Sequence, residues 1–381
     1  MKIAVLKERQ EFEQRVAMTP ATVKNFLNLG FEVYVESEAG INAGFSDQAY
    51  IAAGANVSKI LLEILADADI IIKLQPSPLK YKRTTELAFI KPGAVVIGMF
   101  SNSENLDAVE EYAKKEATVF AIELTPRITR AQGMDVLSSQ SNLAGYRAVI
   151  DACFEFQKIF PMMTTAAGTV TPAKVLVLGA GVAGLQAIAT AKRLGGVVSA
   201  FDVRAAAKEQ VESLGANFVQ VPVDESEENM ETQGGYAKEA TEEYKKRQAE
   251  LIHKTISESD IVISTALIPG KKAPILITKE MVESMKFGSV IVDLAASGGG
   301  NCELTKANEI INYNGIKILG YENYPSRIAT DASSLYAKNM YNFIQLLYDK
   351  EKKSLNINLE DEIIKATLII HDGKILQSHK I

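Results

Sequence analysis

The segment Gly179-Ala180-Gly181-Val182-Ala183-Gly184 constrains this chain more than any other. It follows the β-rich run KVLVL and opens a helical stretch, LQAIATAKRL. Glycine at the first place permits a tight turn, and at the second lets backbone approach a pyrophosphate. At the third it allows close helix–strand packing, while the helix N-terminus stabilises the phosphates. The motif alone is weak evidence, but here a second strand, VVSAFDV, ends in Asp202, eighteen residues past Gly184. A carboxylate at that distance accepts the adenosine ribose hydroxyls. The pattern therefore predicts a Rossmann-type dinucleotide site that includes all six residues from Gly179 to Gly184, with Asp202, Val203 and Arg204. Asp202 repels a 2′-phosphate, which favours NAD(H) over NADP(H); Arg204 is the one residue here that could bind such a phosphate.

Ligands in such sheets sit beyond the carboxyl ends of the strands. That brings in STALIPG (264–270), with Thr265, Ala266 and Leu267, and DLAASGGGN (293–301), whose small residues allow close contact with ribose and nicotinamide. Residues 224–240, DESEENMETQGGYAKEA, interrupt the α/β rhythm, and five of the eight residues from Asp224 to Glu231 are acidic. Connections of that length are commonly lids or disordered. We expect a mobile loop that hinges at Gly234-Gly235 and closes Tyr236 over the nucleotide; the alternative is a merely solvated insertion.

The remaining sequence places this unit in a larger chain. With 381 residues, two or three domains are expected. The runs KIAVLKE, FEVYVES, ADIIIKL, AVVIGMF and ATVFAIEL, separated by helical stretches such as Thr19–Leu29 and Ser103–Lys115, predict a first parallel sheet with helices on either side. Residues 140–165 read as a long helix ended by Pro161. A second series then follows: KVLVLG, VVSAFDV, NFVQVPV, DIVIST, SVIVDLA and GIKILGY. The expected fold class is α/β, with two Rossmann-like doubly wound parallel-sheet domains separated by a cleft and joined by long helices. After a helical stretch, Asp331–Leu347, comes ATLIIHDGKIL, where Asp372-Gly373 is a hairpin signal. This tail should pack back on the first domain. The expected domains are residues 1–137 with 328–381, and 138–327.

Composition excludes several classes. The chain is 47% hydrophobic and 23% charged with net charge −6, and no basic run suggests nucleic acid. Cys153 and Cys302 have no CxxC spacing, which fits a reducing cytoplasm and offers no metal site. The N-terminus lacks the apolar region of a signal peptide. The uncharged stretch Val175–Ala191 is slightly short for a membrane span and is cut by glycines.

Together the motifs RAQGMDVLSSQSNLAGYRAV, GGYAKE, TALIPGKKAP and NYPSRIATDAS carry a resemblance over the whole chain. The sequence resembles the NAD(H)-binding alpha subunit, or first domain, of the proton-translocating nicotinamide nucleotide transhydrogenases. That resemblance implies a homodimer docked on a membrane-spanning subunit and an NADP(H)-binding beta subunit, peripheral on the cytoplasmic face of the bacterial inner membrane. It implies direct hydride transfer between NAD(H) and NADP(H), coupled to proton translocation. It also assigns Arg127, Asp135 and Ser138 to the nicotinamide end of NAD(H), and Gln132 to the facing NADP(H). The alanine dehydrogenases share the fold and the early arginine, here Arg15. Their lysine, however, falls near Gln75, their histidine in VIGMFSNS, which has none, and their aspartate at Ser297. A catalytically inert NAD(H)-sensing regulator is the alternative from a different class.

The stretch RITRAQGMDVLSSQ (127–140) contains no histidine, lysine or cysteine. This composition suits a transhydrogenase. Hydride moving from one nicotinamide carbon to another leaves no heteroatom to protonate, so general acid–base catalysis has no work to do. Two rings held face to face and water kept out are what the step needs.

Overall fold

The computed structural model describes residues 1–76, 86–100, 106–221, 242–267 and 272–376. The lid sequence 224–240 with Tyr236, and residues 268–270 of the STALIPG loop, lie outside the described residues. Two compact units form, Met1–Gln140 with Pro325–Ile381, and Ser141–Tyr324. The breaks expected from sequence fall nearby, at 137/138 and 327/328. The helix Val136–Glu155 runs across the first break. The helix Ala329–Leu347 lies wholly inside the first unit and so does not join the two.

The first unit begins with β1 (Lys2–Val5), β2 (Glu32–Glu36), β3 (Asn56–Ser58), β4 (Ile70–Ile72), β5 (Val95–Gly98) and β6 (Thr118–Ala121). The second holds β7 (Met163–Thr165), β8 (Gly168–Val170), β9 (Lys174–Leu178), β10 (Val197–Phe201), β11 (Asn217–Phe218), β12 (Ile261–Ser264), β13 (Val290–Asp293), β14 (Ile310–Tyr313) and β15 (Ile316–Leu319). Back in the first unit come β16 (Tyr348–Asp349), β17 (Ser354–Leu355), β18 (Leu368–His371) and β19 (Lys374–Ile375).

The first sheet has the order β19-β18-β6-β5-β4-β1-β2-β3, and the second β11-β10-β9-β12-β13-β15-β14. Both wind outward from their first strand in the doubly wound manner, with a switch point between β1 and β4 and another between β9 and β12. Successive residues of each strand enter different cores. Ile3 and Val5 join one cluster of the first unit while Ala4 joins the other. Val175 and Val177 face one core of the second unit, Leu176 and Leu178 the other. Burial on both faces is why these runs show no polar alternation.

At the edges the sheets depart from the parallel expectation. β18 runs antiparallel to β6, and β19 returns through Asp372-Gly373, both with positive φ. β14 pairs antiparallel with β15 across Asn314-Gly315, a hairpin that the six expected strands did not include. β11 is only two residues long, where NFVQVPV was expected to be a full strand. The expected helix over 140–165 stops at Glu155. There the Lys317 ammonium donates to the Glu155 carbonyl (3.1 Å) and carboxylate (2.7 Å), which satisfies the C-terminal end of the helix. Phe156 and Phe160 then turn into the core edge to face, and β7–β8 form a separate exposed hairpin.

At the tip of β2 the Glu36 carboxylate accepts the Lys7 N–H at 2.8 Å and is paired with Arg9. Deeper in the same unit lie Glu8, Glu13, Arg15, Lys73 and Glu86, all buried. Glu86 accepts from the Lys73 ammonium and from Tyr112 OH. Glu8 accepts the Leu74 N–H through one oxygen (2.7 Å), while its Oε2 is buried without a hydrogen-bond partner. Burial pushes the Glu8 carboxyl up to about 7, against the pull of the Lys73 ammonium and the Leu74 N–H. The folded chain therefore holds this proton more tightly than the unfolded chain. Stability falls as pH rises from the ordinary carboxyl range to about 7, and levels above it. Glu8→Gln should remove that slope and gain on the order of 3 kcal/mol over the parent at pH 8 relative to pH 4. Denaturant unfolding at both pH values checks this; parallel losses in parent and variant would contradict it.

Candidate functional site

In the second unit, the turn after β9 is a backbone-on-backbone contact. Gly179 has φ +98°, and a Cβ there would lie 2.5 Å from Thr265 Oγ1. A Cβ on Gly184 would lie 1.9 Å from the Gly179 carbonyl oxygen, so the helix Val182–Arg193 can leave β9 here only without a side chain at 184. Gly181, the N-cap, would place its Cβ in open space. No acidic residue occupies the first turn, and Lys192 and Arg193 lie in the last. Ala180 is buried, Ala183 is half-buried and Val182 is exposed. The helix N-terminus thus presents N–H groups and a positive dipole end that no carboxylate of its own first turn offsets.

The switch point joins this turn to the end of β12. The Thr265 hydroxyl reaches the carbonyls of Leu178 (3.2 Å) and Gly179 (3.1 Å). Ala266 is half-buried, while Leu267 and, after β10, Val203 expose apolar surface. Asp202, at the tip of β10, accepts the Ala180 N–H (2.7 Å) and the Arg204 N–H (2.8 Å). The Arg204 guanidinium adds two more bonds at 2.9 Å, one to each oxygen. Burial alone would raise the Asp202 carboxyl, but the Arg204 side chain and the two backbone N–H groups outweigh it and hold it below the usual range. Asp202 stays an ionised acceptor. Arg204 is half-exposed and can move aside for another donor.

Sequence reasoning missed three residues that shape this region. Asn301 is fully buried; its carbonyl oxygen accepts from Ser264 (2.5 Å) and Ala266 N (3.1 Å). Its amide donates to the carbonyls of Ala266 and Pro274, both at 2.8 Å. Asp293 in turn fixes Ala295, Asn301, Cys302 and Thr305. The small-residue loop 293–301 thereby sets the path of the chain after β12. The third is Gly145, inside the long helix, where a Cβ would lie 2.0 Å from the Ala183 carbonyl oxygen. A glycine within the helical run NLAGYRA was the available signal.

The other candidates lie in the first unit. Arg127 and Gln132 are exposed, and Gln132 belongs to the short 3-10 segment Thr129–Met134. Asp135 begins the long helix. Its Oδ1 accepts the Ser138 N–H (2.8 Å) and its Oδ2 the Ser138 hydroxyl (2.6 Å). The structure brings Asp135 and Ser138 into direct contact. Arg130 forms a two-pronged pair with Asp361 (2.7 and 3.1 Å). Arg15, the position shared with the alanine dehydrogenases, is closed: Nε and Nη2 donate to Glu13 and Nη1 to Gln140. Among the described residues no group of three or more His, Cys, Asp or Glu is arranged to hold a metal ion. No described helix is long and apolar enough to cross a membrane.

Comparison with known proteins places this geometry in a family. "Alanine dehydrogenase/PNT, N-terminal domain" matches residues 4–144, and "Alanine dehydrogenase/PNT, C-terminal domain" residues 148–378. The first portion of the NAD(P) transhydrogenase alpha subunit of Rhodospirillum rubrum, a chain of its own, is 54% identical over 376 residues, covering 99% of this chain and 98% of that one. The chain belongs to the alanine dehydrogenase/PNT family. Within it, identity groups the chain with the NAD(P) transhydrogenase alpha subunits, which are oxidoreductases. A crystal structure of transhydrogenase from Sinorhizobium meliloti agrees with a TM-score of 0.87 at 47% identity, covering 99% of this chain and 100% of that one. Alanine dehydrogenase of Halomonas elongata is more distant, 29% identical over 98% of this chain and 94% of its own.

For this family member, Gly145→Ala should act like a lesion in the glycine turn itself. The added methyl must push the Ala183 backbone aside, costing about 1–3 kcal/mol by overpacking, and NADH binding should weaken with it. Thermal unfolding and NADH titration of the purified variant check both. An unaltered melting temperature would mean that the two helices separate without cost.

Proposed function

We propose that this chain binds NAD(H) in its second unit and passes hydride directly between it and NADP(H) held on a partner subunit, coupled to proton movement across a membrane. The observation that carries this reading is the state of Asp135. It is the one carboxylate in the stretch 127–140, and both its oxygens accept from Ser138. Such a group orients its neighbours. Arg127, Gln132, Asp135 and Ser138 then serve as holders of amide, ribose and phosphate groups around two nicotinamides. The rate comes from proximity and exclusion of water.

In the second unit the pyrophosphate lies against Gly181 and the first turn of the following helix. The adenosine ribose takes the place of the Arg204 guanidinium on Asp202, and Val203 and Leu267 offer apolar contact to the flat rings. Thr265 and Ala266 hold the approach between β9 and β12.

Partner chains follow from the family. The Rhodospirillum rubrum relative is, by its name, the first portion of an alpha subunit and so works beside other chains. In our reading the present chain is a homodimer that docks peripherally, on the cytoplasmic side, against a membrane-spanning subunit and an NADP(H)-binding beta subunit. The β7–β8 hairpin supports the self-contact. It is exposed throughout, and Met162, Met163 and Val170 are exposed on or beside it. An apolar, unpaired two-stranded edge suits an isologous contact with a second copy.

Two outcomes test the proposal. Gln132→Asn, one methylene shorter, should leave NADH affinity nearly unchanged while single-turnover hydride transfer in the reconstituted complex falls by up to about a hundredfold. A variant that transfers hydride at the parental rate would remove the loop from the reaction. Met162→Asp combined with Val170→Asp should convert the dimer to a monomer in sedimentation velocity without loss of NADH binding; a dimer that survives both changes uses another surface.

A further inference from the structure

We propose that Asn339 and Asn342, on the helix Ala329–Leu347, are positioning residues for hydride transfer: they clamp the loop that carries Gln132. The inference rests on the reading above for the loop, but its own evidence is geometric. The two asparagines are three residues apart and so share one helix face. Both send an amide N–H to the same atom, the Gly133 carbonyl oxygen, at 2.8 and 2.9 Å. Both lone pairs of that oxygen are thereby used. Gly133 directly follows Gln132, and a Cβ there would lie 2.7 Å from Asn342 Nδ2, so glycine lets that amide come close.

Asn339 also uses its other end. Its Oδ1 accepts the Ser139 hydroxyl at 2.8 Å, next to Ser138. The orientation of this carboxamide is unambiguous, because the Gly133 carbonyl can only accept. One buried side chain therefore ties the segment after Gln132 to the segment after Ser138, bracing the two limbs of the Asp135 turn from 206 and 200 positions away in sequence. The segment Thr129–Met134 is a short 3-10 turn, with weaker internal bonding than an α-helix. Among the described residues, its other ties include the exposed pairs of Arg130 with Asp361 and Glu362, which contribute little, and the burial of Ala131 and Met134. Among the described residues, the two amides and the bond from Asp135 N to the Gln132 carbonyl are the polar anchors on the C-terminal side of Gln132.

A ladder of donor capacity at 342 tests this without disturbing the core. Asn342→Asp has the same shape but cannot donate, whereas Asn342→Gln is longer and still can. Asn339→Ala removes the cross-brace. In the isolated chain, amide exchange of residues 129–134 should speed up in Asn342→Asp and Asn339→Ala and stay near parental in Asn342→Gln. In the reconstituted complex, single-turnover hydride transfer should fall about tenfold in the first two, with NADH affinity kept within about twofold and Asn342→Gln near parental. Unchanged exchange would show that there is no clamp. Faster exchange with a parental transfer rate would show that the clamp does not serve the reaction. Gln132→Asn run beside them separates the two levels: if it too is parental, the assignment of the loop has failed; if it is slow while both asparagine variants are fast, only the clamp has.

Discussion

The second unit depends on an approach of backbone to backbone that leaves no room for a methyl group. The α-carbon of Gly184 rests against the Gly179 carbonyl, and that of Gly145 against the Ala183 carbonyl. These two contacts draw the strand, the turn and the two helices around it into one cluster with almost no side-chain volume between them. Where side chains are absent, N–H groups lie at the surface, and a helix N-terminus there attracts anions. The polar groups nearby are arranged around this turn. Thr265 bonds to the carbonyls on one side of it, Asp202 accepts an N–H on the other, and Asn301 steers the loop after β12 past it.

The first unit solves a different problem, that of holding polar groups still. Its candidate residues sit at the start of a helix, in a single 3-10 segment and in the bend before it, where backbone bonding alone is weak. The stiffness comes from carboxamides and carboxylates bonded at both ends: Asp135 on Ser138, Gln140 between Arg15 and the Ala332 carbonyl, and Asn339 between Gly133 and Ser139. Buried networks that are satisfied in this way favour one geometry over its neighbours.

Much of this was legible in sequence because it depends on near neighbours. The runs buried on both faces, the glycine turn, the acidic residue after the second strand and the Asp372-Gly373 hairpin all follow from residues within about one structural unit of one another. The Asn314-Gly315 hairpin is equally local, but six strands already complete a doubly wound sheet and leave no apparent need for a seventh. The helix that stops at Glu155 could not be read locally. Its residues continue to favour a helix, but Lys317, from β15, satisfies its final carbonyl, and two phenylalanines gain more from the core. Gly145, Asn301 and Asn339 were hidden for the same reason. Each acts on a backbone atom contributed from 27 to 206 positions away. Polar residues inside helices and loops carry no mark of the distant carbonyl they will meet.

The two units share one further detail at the tips of their second strands. In the first, Glu36 accepts the N–H of Lys7, two residues beyond β1, and is paired with Arg9. In the second, Asp202 accepts the N–H of Ala180, two residues beyond β9, and is paired with Arg204. The stitch is the same, yet glycines follow only one of the two first strands. An acidic side chain at this place is therefore part of how a doubly wound sheet ties off the chain leaving its central strand, with or without a ligand. A carboxylate there becomes a recognition element only when the neighbouring turn is bare enough for something else to reach it.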